Sequence, residues 1–291
     1  MECKNTSEVG KIKSILIKHV DSSFIDQANL ESQWKELNYT ACPDFKIAQE
    51  EYEAFVSILN ESIENIEFLP SDDRTCIDSI YVRDSVIISS RGAILCNMGK
   101  AKRRGEPEST AAFLDILGIP IIGKISNKGR LEGGDVVWFD DHTVVVGRSY
   151  RTNDEGIEQF REITKDFVED IVVVPLPHWD GVEDVFHLMS IISPVDEDAV
   201  IVYSRLLPIP FREWLLERGM KLIEVAEEEF QSMACNILAL TPGRCMMLAG
   251  NPLTKEKMER EGIEVLEFKG DEISMKGAGG PTCLTRPLFR E

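Results

Sequence analysis

Cys283 follows a glycine-rich run, Gly277-Ala278-Gly279-Gly280-Pro281-Thr282. Glycines allow tight turns and close approach of a ligand. A nucleophilic thiol needs that access, and a nearby positive charge to favour the thiolate. A free cysteine is more often a packing residue, but the glycines here weigh against it. The run is not a dinucleotide fingerprint, because Thr282 stands where a third glycine belongs.

Other side chains have the types that such a thiol would work with. Glu132 and Asp135 flank a Gly133-Gly134 pair at the start of an apolar run. Paired carboxylates can hold a planar guanidinium through charge-assisted contacts, and an acidic turn before a strand would look the same. Asp78 and Asp84 flank a further run, and a carboxylate entering apolar sequence needs a cationic partner. Arg103 and Arg151 carry guanidinium groups that can clamp a carboxylate, or stand in solvated loops. His187 sits among apolar residues, as a core histidine would. Beside a cysteine it would shuttle protons near neutral pH. A metal set of His178, Asp180 and His187 has a spacing that matches no standard ligand pattern.

These groups must be held by regular elements. Short apolar runs at 14–17, 85–89, 93–96, 136–139, 143–146, 171–174, 199–203, 236–240, 245–248 and 264–268 read as strands. Helical periodicity covers 45–60, 110–117, 154–168, 211–218 and 254–260. Asp140-Asp141 and Pro242-Gly243 mark tight hairpins. So many hairpins argue against a doubly wound sheet. With no linker or low-complexity tract, residues 1–291 read as a single α/β domain.

The bulk numbers agree with a small-molecule enzyme. The 291 residues are 43% hydrophobic, enough for a full core, and the net charge is −19. That charge argues against a nucleic-acid partner and suits a cationic substrate. The seven cysteines form no C-x-x-C, which fits a reducing, cytoplasmic compartment. No signal peptide or membrane span is expected.

Taken in order, Asp78…Arg83-Asp84, Arg103-Arg104-Gly105-Glu106, Glu132-Gly133-Gly134-Asp135, Arg151-Thr152-Asn153, His187-Leu188 and Gly279-Gly280-Pro281-Thr282-Cys283 resemble the guanidino-group-modifying enzymes. Within these the series is most similar to the dimethylarginine dimethylaminohydrolase family. The resemblance implies an amidinohydrolase/amidinotransferase-type catalytic domain with the pentein fold, a five-bladed α/β propeller of ββαβ units. It implies Cys283 as nucleophile, His187 as general acid and base, and Glu132 as the carboxylate that holds the guanidinium and orients the histidine. Asp84 matches the second guanidinium-binding acid, and Asp78, Arg103 and Arg151 match residues that bind the amino-acid end. The chemistry implied is hydrolysis of Nω,Nω-dimethylarginine to citrulline and dimethylamine through an S-alkylthiouronium, with no organic cofactor and no metal.

Three residues depart from the family pattern: Thr282, directly before the cysteine, and two others that pull in opposite directions. Arg83 stands where dimethylarginine hydrolases commonly carry an acid, and arginine deiminases often have Arg-Asp. Met189 stands where deiminases carry an Asp. The alternatives are therefore an arginine deiminase or dihydrolase, a hydrolase of another guanidino compound, and a non-catalytic binding protein on the same fold. A monomer and a homodimer fit the sequence equally. The stretch 20–43 is long enough for a substrate lid.

Overall fold

A computed structural model describes residues 4–179, 181 and 186–291. Among them are five three-stranded sheets, all built alike. In each, an antiparallel pair of strands is followed by a helix and a third strand, parallel to the middle one.

The first unit joins both ends of the chain. Strand β1 (Ile12–Ile17) pairs with β2 (Asn65–Phe68) after three helices, α1 (Val20–Ser23), α2 (Gln27–Gln33) and α3 (Phe45–Ser62), and with β15 (Arg286–Arg290) on its other side. The second unit is β3 (Val86–Ser89), β4 (Gly92–Leu95), α4 (Glu106–Ile116) and β5 (Ile121–Lys124). The third is β6 (Val136–Trp138), β7 (Thr143–Arg148), α5 (Asp154–Thr164) and β8 (Asp170–Pro175). The fourth is β9 (Ile192–Asp196), β10 (Ala199–Val202), α6 (Ile209–Glu217) and β11 (Lys221–Glu224). The fifth is β12 (Leu238–Thr241), β13 (Arg244–Leu248), α7 (Pro252–Arg260) and β14 (Glu264–Phe268).

Why the middle strands read as unbroken apolar runs follows from their two buried faces. Successive side chains point to opposite sides of a strand. On β7, Val144 and Val146 pack toward the second unit, while Val145 packs toward the fourth. On β10, Val200 and Val202 face the third unit, while Ala199 and Ile201 face the fifth. Five buried clusters result, each shared by two neighbouring units, and they close a ring.

Local signals fix the element ends. Asp44 caps α3 by accepting from Ile47 N, and Asn153 caps α5 by accepting from Gly156 N. Gly243, in the β12–β13 hairpin, has φ +69°, a conformation that favours glycine.

All ten expected strands and all five expected helices are present, with ends shifted by a few residues. Five strands and two short helices were not expected. Strands β2, β5 and β11 have four residues each, and none holds more than two apolar residues in a row. Strands β9 and β15 each contain a proline, Pro194 and Pro287, which speaks against a strand in sequence. No helix is long and apolar enough to cross a membrane among the described residues.

Candidate active site

Each unit begins its first strand from a short turn, and those five turns supply the site. Asp84 precedes β3, Glu132 precedes β6, His187 precedes β9, Asn236 precedes β12 and Cys283 precedes β15. The pseudo-fivefold arrangement therefore brings together residues scattered over two hundred positions of sequence. The arginines come from a second set of equivalent loops: Arg103 lies between β4 and α4, and Arg151 between β7 and α5.

His187 Nε2 lies 2.7 Å from Glu132 Oε2, a bond the imidazole makes with a proton on Nε2. Its other nitrogen, Nδ1, lies 3.7 Å from Asp84 Oδ1. Glu132 is fully buried and heavily engaged: Oε1 accepts from Gly99 N at 2.8 Å, and Oε2 also faces Arg151 Nη1 at 3.3 Å. Gly134 is what lets these groups meet. A Cβ there would stand 2.5 Å from His187 Nδ1 and 2.8 Å from Asp84 Oδ1.

The two expected arginines differ in how they are held. Arg103 is buried, against the solvated-loop alternative. Its guanidinium donates to both oxygens of Glu106 at 2.8 Å, to Asp84 Oδ2 at 2.7 Å and to Tyr81 O at 3.0 Å. Arg151 is partly exposed, and its Nη1 donates to Glu132 and lies against His187 Nε2 at 3.4 Å. Asp78 is buried and pairs with Lys100 Nζ at 3.1 Å.

Lys100 and Asn236 were not foreseen, and Thr282 is the departure beside the cysteine. Lys100 also donates to Leu37 O at 3.2 Å, which ties the 20–43 stretch to the Asp78 corner. Asn236 Nδ2 donates to Cys283 Sγ at 3.4 Å. Thr282 donates to Asn236 Oδ1 through both its backbone N, at 3.1 Å, and its hydroxyl, at 2.7 Å. Thr282 thus orients the amide that faces the sulfur. The position of Asn236 at the head of an expected strand, a polar side chain leading an apolar run, was the available signal.

The electrostatics follow from burial against partners. Burial pushes the Glu132 carboxyl up, but Arg151 and His187 outweigh it and hold it well below the usual range. Burial raises the Asp84 carboxyl too, and His187 and Arg103 bring it down. Burial lowers the His187 imidazole, yet Asp84, Asp135 and Glu132 give a net upward shift. The Cys283 thiol is pushed up by burial and then by Asp84, against the opposing bonds of Thr282, Gly280 and Asn236. The site therefore holds two carboxylates, a histidine that favours its cation, and a thiol.

Asp135 does not share the guanidinium-type position with Glu132. It accepts from Leu188 N and Ser149 Oγ, both at 2.9 Å, and so fixes the turn that presents His187. His178 pairs with Tyr150 Oη at 3.0 Å. Asp180 lies outside the described residues. The group whose ligand-type atoms do converge is Asp84, Glu132 and His187, within 4.8 Å of one another. A divalent cation there would meet Arg103 and Arg151, which already neutralise the two carboxylates.

Comparison with known proteins settles the family. The model of eukaryotic N,N-dimethylarginine dimethylhydrolases matches residues 27–290. The chain belongs to this family. It is 31% identical to a dimethylarginine dimethylaminohydrolase of Pseudomonas aeruginosa, over 84% of this chain and 89% of that one. A solved dimethylarginine dimethylaminohydrolase from the same organism, complexed with citrulline, is similar in fold, with a TM-score of 0.76, 26% identity and coverage of 94% and 98%. The N-terminal domain of a cyanobacterial arginine dihydrolase has a TM-score of 0.80 at 18% identity, with coverage of 96% and 98%. The fold is thus the five-bladed pentein fold. As a member of the dimethylarginine dimethylhydrolase family, the chain is a hydrolase acting on C–N bonds of guanidino compounds.

Proposed function

We propose that this protein hydrolyses an Nω-substituted arginine, Nω,Nω-dimethylarginine foremost, with Cys283 as a covalent nucleophile. The observation that carries the reading is the convergence of Asp84, Glu132 and His187 within 4.8 Å. Cys283 enters from the equivalent turn of the neighbouring unit, and its backbone O accepts from Arg83 N at 3.3 Å, next to Asp84.

In this reading the two carboxylates bind the substrate cation and aim its central carbon at sulfur. Burial and Asp84 raise the free thiol and so favour its neutral form. A bound guanidinium offsets the Asp84 charge and favours the thiolate. Sulfur attacks the central carbon, and the C–N bond to dimethylamine breaks as His187 gives that nitrogen a proton. The S-alkylthiouronium left on Cys283 is then attacked by water, with His187 taking the water's proton. The C–S bond breaks, the thiol is regenerated and citrulline leaves. The sum is substrate plus water giving citrulline plus dimethylamine.

At the amino-acid end, Arg151 meets Glu132 through Nη1 and is partly exposed, and Asp78 offers a carboxylate. Both are assigned to that end. Arg103, whose guanidinium is engaged on three sides, is assigned instead to holding Asp84 in place.

The two opposing departures from the family pattern touch each other. Arg83 Nε lies 2.9 Å from Met189 Sδ, and Arg83 Nη2 donates to Glu8 Oε2 at 2.6 Å. Arg83 therefore points away from Asp84, and the buried Met189 offers no carboxylate for an unsubstituted guanidinium nitrogen. This supports a substituted substrate over free arginine. Intact-mass spectrometry during turnover tests the mechanism: a mass increase on Cys283 is expected, and full turnover by a Cys283→Ala variant would rule the nucleophile out.

A further inference from the structure

Beneath the Gly133-Gly134 turn lies a layer of buried charge that this chemistry does not use. Arg83, Arg286 and Arg290 are all buried, at 0%, 0% and 4% exposure. Arg286 Nη2 donates to Arg83 O. A Cβ on Gly133 would stand 2.2 Å from that oxygen and 2.3 Å from Arg286 Nη2, so the layer packs directly under the turn that follows Glu132. Arg290 Nη1 donates to Gly10 O at 2.6 Å and Ala239 O at 2.9 Å.

Glu8 is the carboxylate paired with this layer. It is 5% exposed, and its Oε2 accepts from Arg83 Nη2 at 2.6 Å. Burial and then Arg83 push the Arg286 guanidinium down to about 9, and Glu8 opposes this. Burial brings Arg290 down to about 10, with Glu8 again opposing and Arg83 adding to the fall.

Glu8 is delivered by a segment outside the five sheets. Lys4 bridges to Phe289 of the first unit. Glu8 N donates to Trp138 O of the third unit at 3.1 Å, and Thr6 Oγ1 donates to Asp141 in the β6–β7 hairpin. The segment thus crosses between units and drops one acid onto the arginines. It also precedes the stretch that the family model matches.

We infer that Glu8 is a positioning residue of the active site: it compensates the arginine layer and so leaves Asp84 and Glu132 free to attract a cationic substrate. The inference rests on the functional reading above. An uncompensated guanidinium in a low-dielectric interior acts over several ångströms. The layer borders the site closely enough for that. Arg83 is the sequence neighbour of Asp84, its backbone N donates to Cys283 O, and Arg286 Nη2 holds the Arg83 carbonyl under the same turn whose Gly134 abuts Asp84. Without Glu8 the layer would compete with substrate for Asp84 and favour the Cys283 thiolate.

The test needs no substrate. Asn236 Nδ2 and the Thr282 hydroxyl contact the Cys283 sulfur at 3.4 and 3.9 Å, Tyr81 lies in the buried cluster that Cys283 packs against, Asp84 raises the thiol, and none of these is altered in it. Alkylation of Cys283 by iodoacetamide is followed against pH in the full chain. Glu8→Gln should move the alkylation profile to lower pH and speed alkylation near neutrality, by about tenfold for each pH unit that the profile moves. Adding Arg83→Met to Glu8→Gln should return the profile toward that of the unaltered protein. Arg83→Met alone keeps Glu8, removes one positive charge and should slow alkylation, which covers the case of a Glu8→Gln protein that does not fold. Profiles that superimpose for all variants, or a displacement that the double substitution does not reverse, would overturn the inference. KM for the guanidino substrate should rise in Glu8→Gln and recover in the double variant. An unaltered protein that turns over no guanidino compound would sink the functional reading, while the alkylation profiles would still decide the role of Glu8.

Discussion

Asn236 Nδ2 donates to Cys283 Sγ at 3.4 Å, while Asn236 Oδ1 is pinned by two hydrogen bonds from Thr282. An amide N–H aimed at sulfur stabilises the thiolate more than the thiol. It is one of the contacts that oppose the upward shift of Cys283. Asn236→Ala should therefore raise the thiol pKa further. The loss of one such bond is worth about 1 kcal/mol, so kcat/KM should fall roughly five- to tenfold at neutral pH and recover partly at higher pH. A fall that is flat with pH would assign Asn236 a purely structural role.

His187 is predicted to act twice, as acid and then as base. A positioned general acid–base group contributes about 10²- to 10⁴-fold. His187→Gln should lower kcat by that order and let the covalent adduct accumulate, because thiouronium hydrolysis loses its base. Steady-state rates with intact-mass readout check this, and a variant slowed without any adduct would place His187 in the first step alone.

Gly134 leaves no room for a side chain, with His187 Nδ1 only 2.5 Å from an added Cβ. Gly134→Ala must push the imidazole or Asp84 aside. A displacement near 1 Å at a reacting group costs about 10²-fold. The expected outcome is a kcat loss of that order with the fold retained by circular dichroism; unchanged kinetics would show that the ring has slack the geometry denies.

Stability should follow the same charges. Asp84 and Glu132 sit below their ordinary carboxylate range, so their contribution is present above that range and is lost as pH falls from it through their lower folded values. His187 is raised, so its contribution is full below about pH 6.5 and disappears as pH climbs through its folded value. Thermal melts between about pH 3 and pH 6 should show a steeper acid loss for the unaltered protein than for Glu132→Gln. Parallel acid limbs would mean that other carboxylates dominate.

Much of this site was readable in the sequence because its residues interrupt local expectation. Asp84, Glu132 and His187 are costly beside apolar runs, and Cys283 follows glycines that packing alone does not need. What the chain could not show is the ring. Asn236 and Lys100 look ordinary until the fivefold arrangement sets Asn236 beside Cys283 and Lys100 beside Asp78. Arg103 looked like a solvent-side clamp because its loop is basic, yet Glu106, three residues on, takes it inward. Strands β9 and β15 were hidden by their prolines, and β2, β5 and β11 by the shortness of their apolar stretches. The two departures read as contradictory in sequence only because the Arg83–Met189 contact is a tertiary fact.

The most direct test is citrulline formation, measured with Nω,Nω-dimethylarginine and with free arginine in parallel, and with Cys283→Ala as control. Citrulline and dimethylamine are expected in equal amounts from dimethylarginine, with little citrulline from arginine and none from the variant. Citrulline from arginine alone would contradict the substrate assigned here, and turnover surviving in Cys283→Ala would contradict the mechanism.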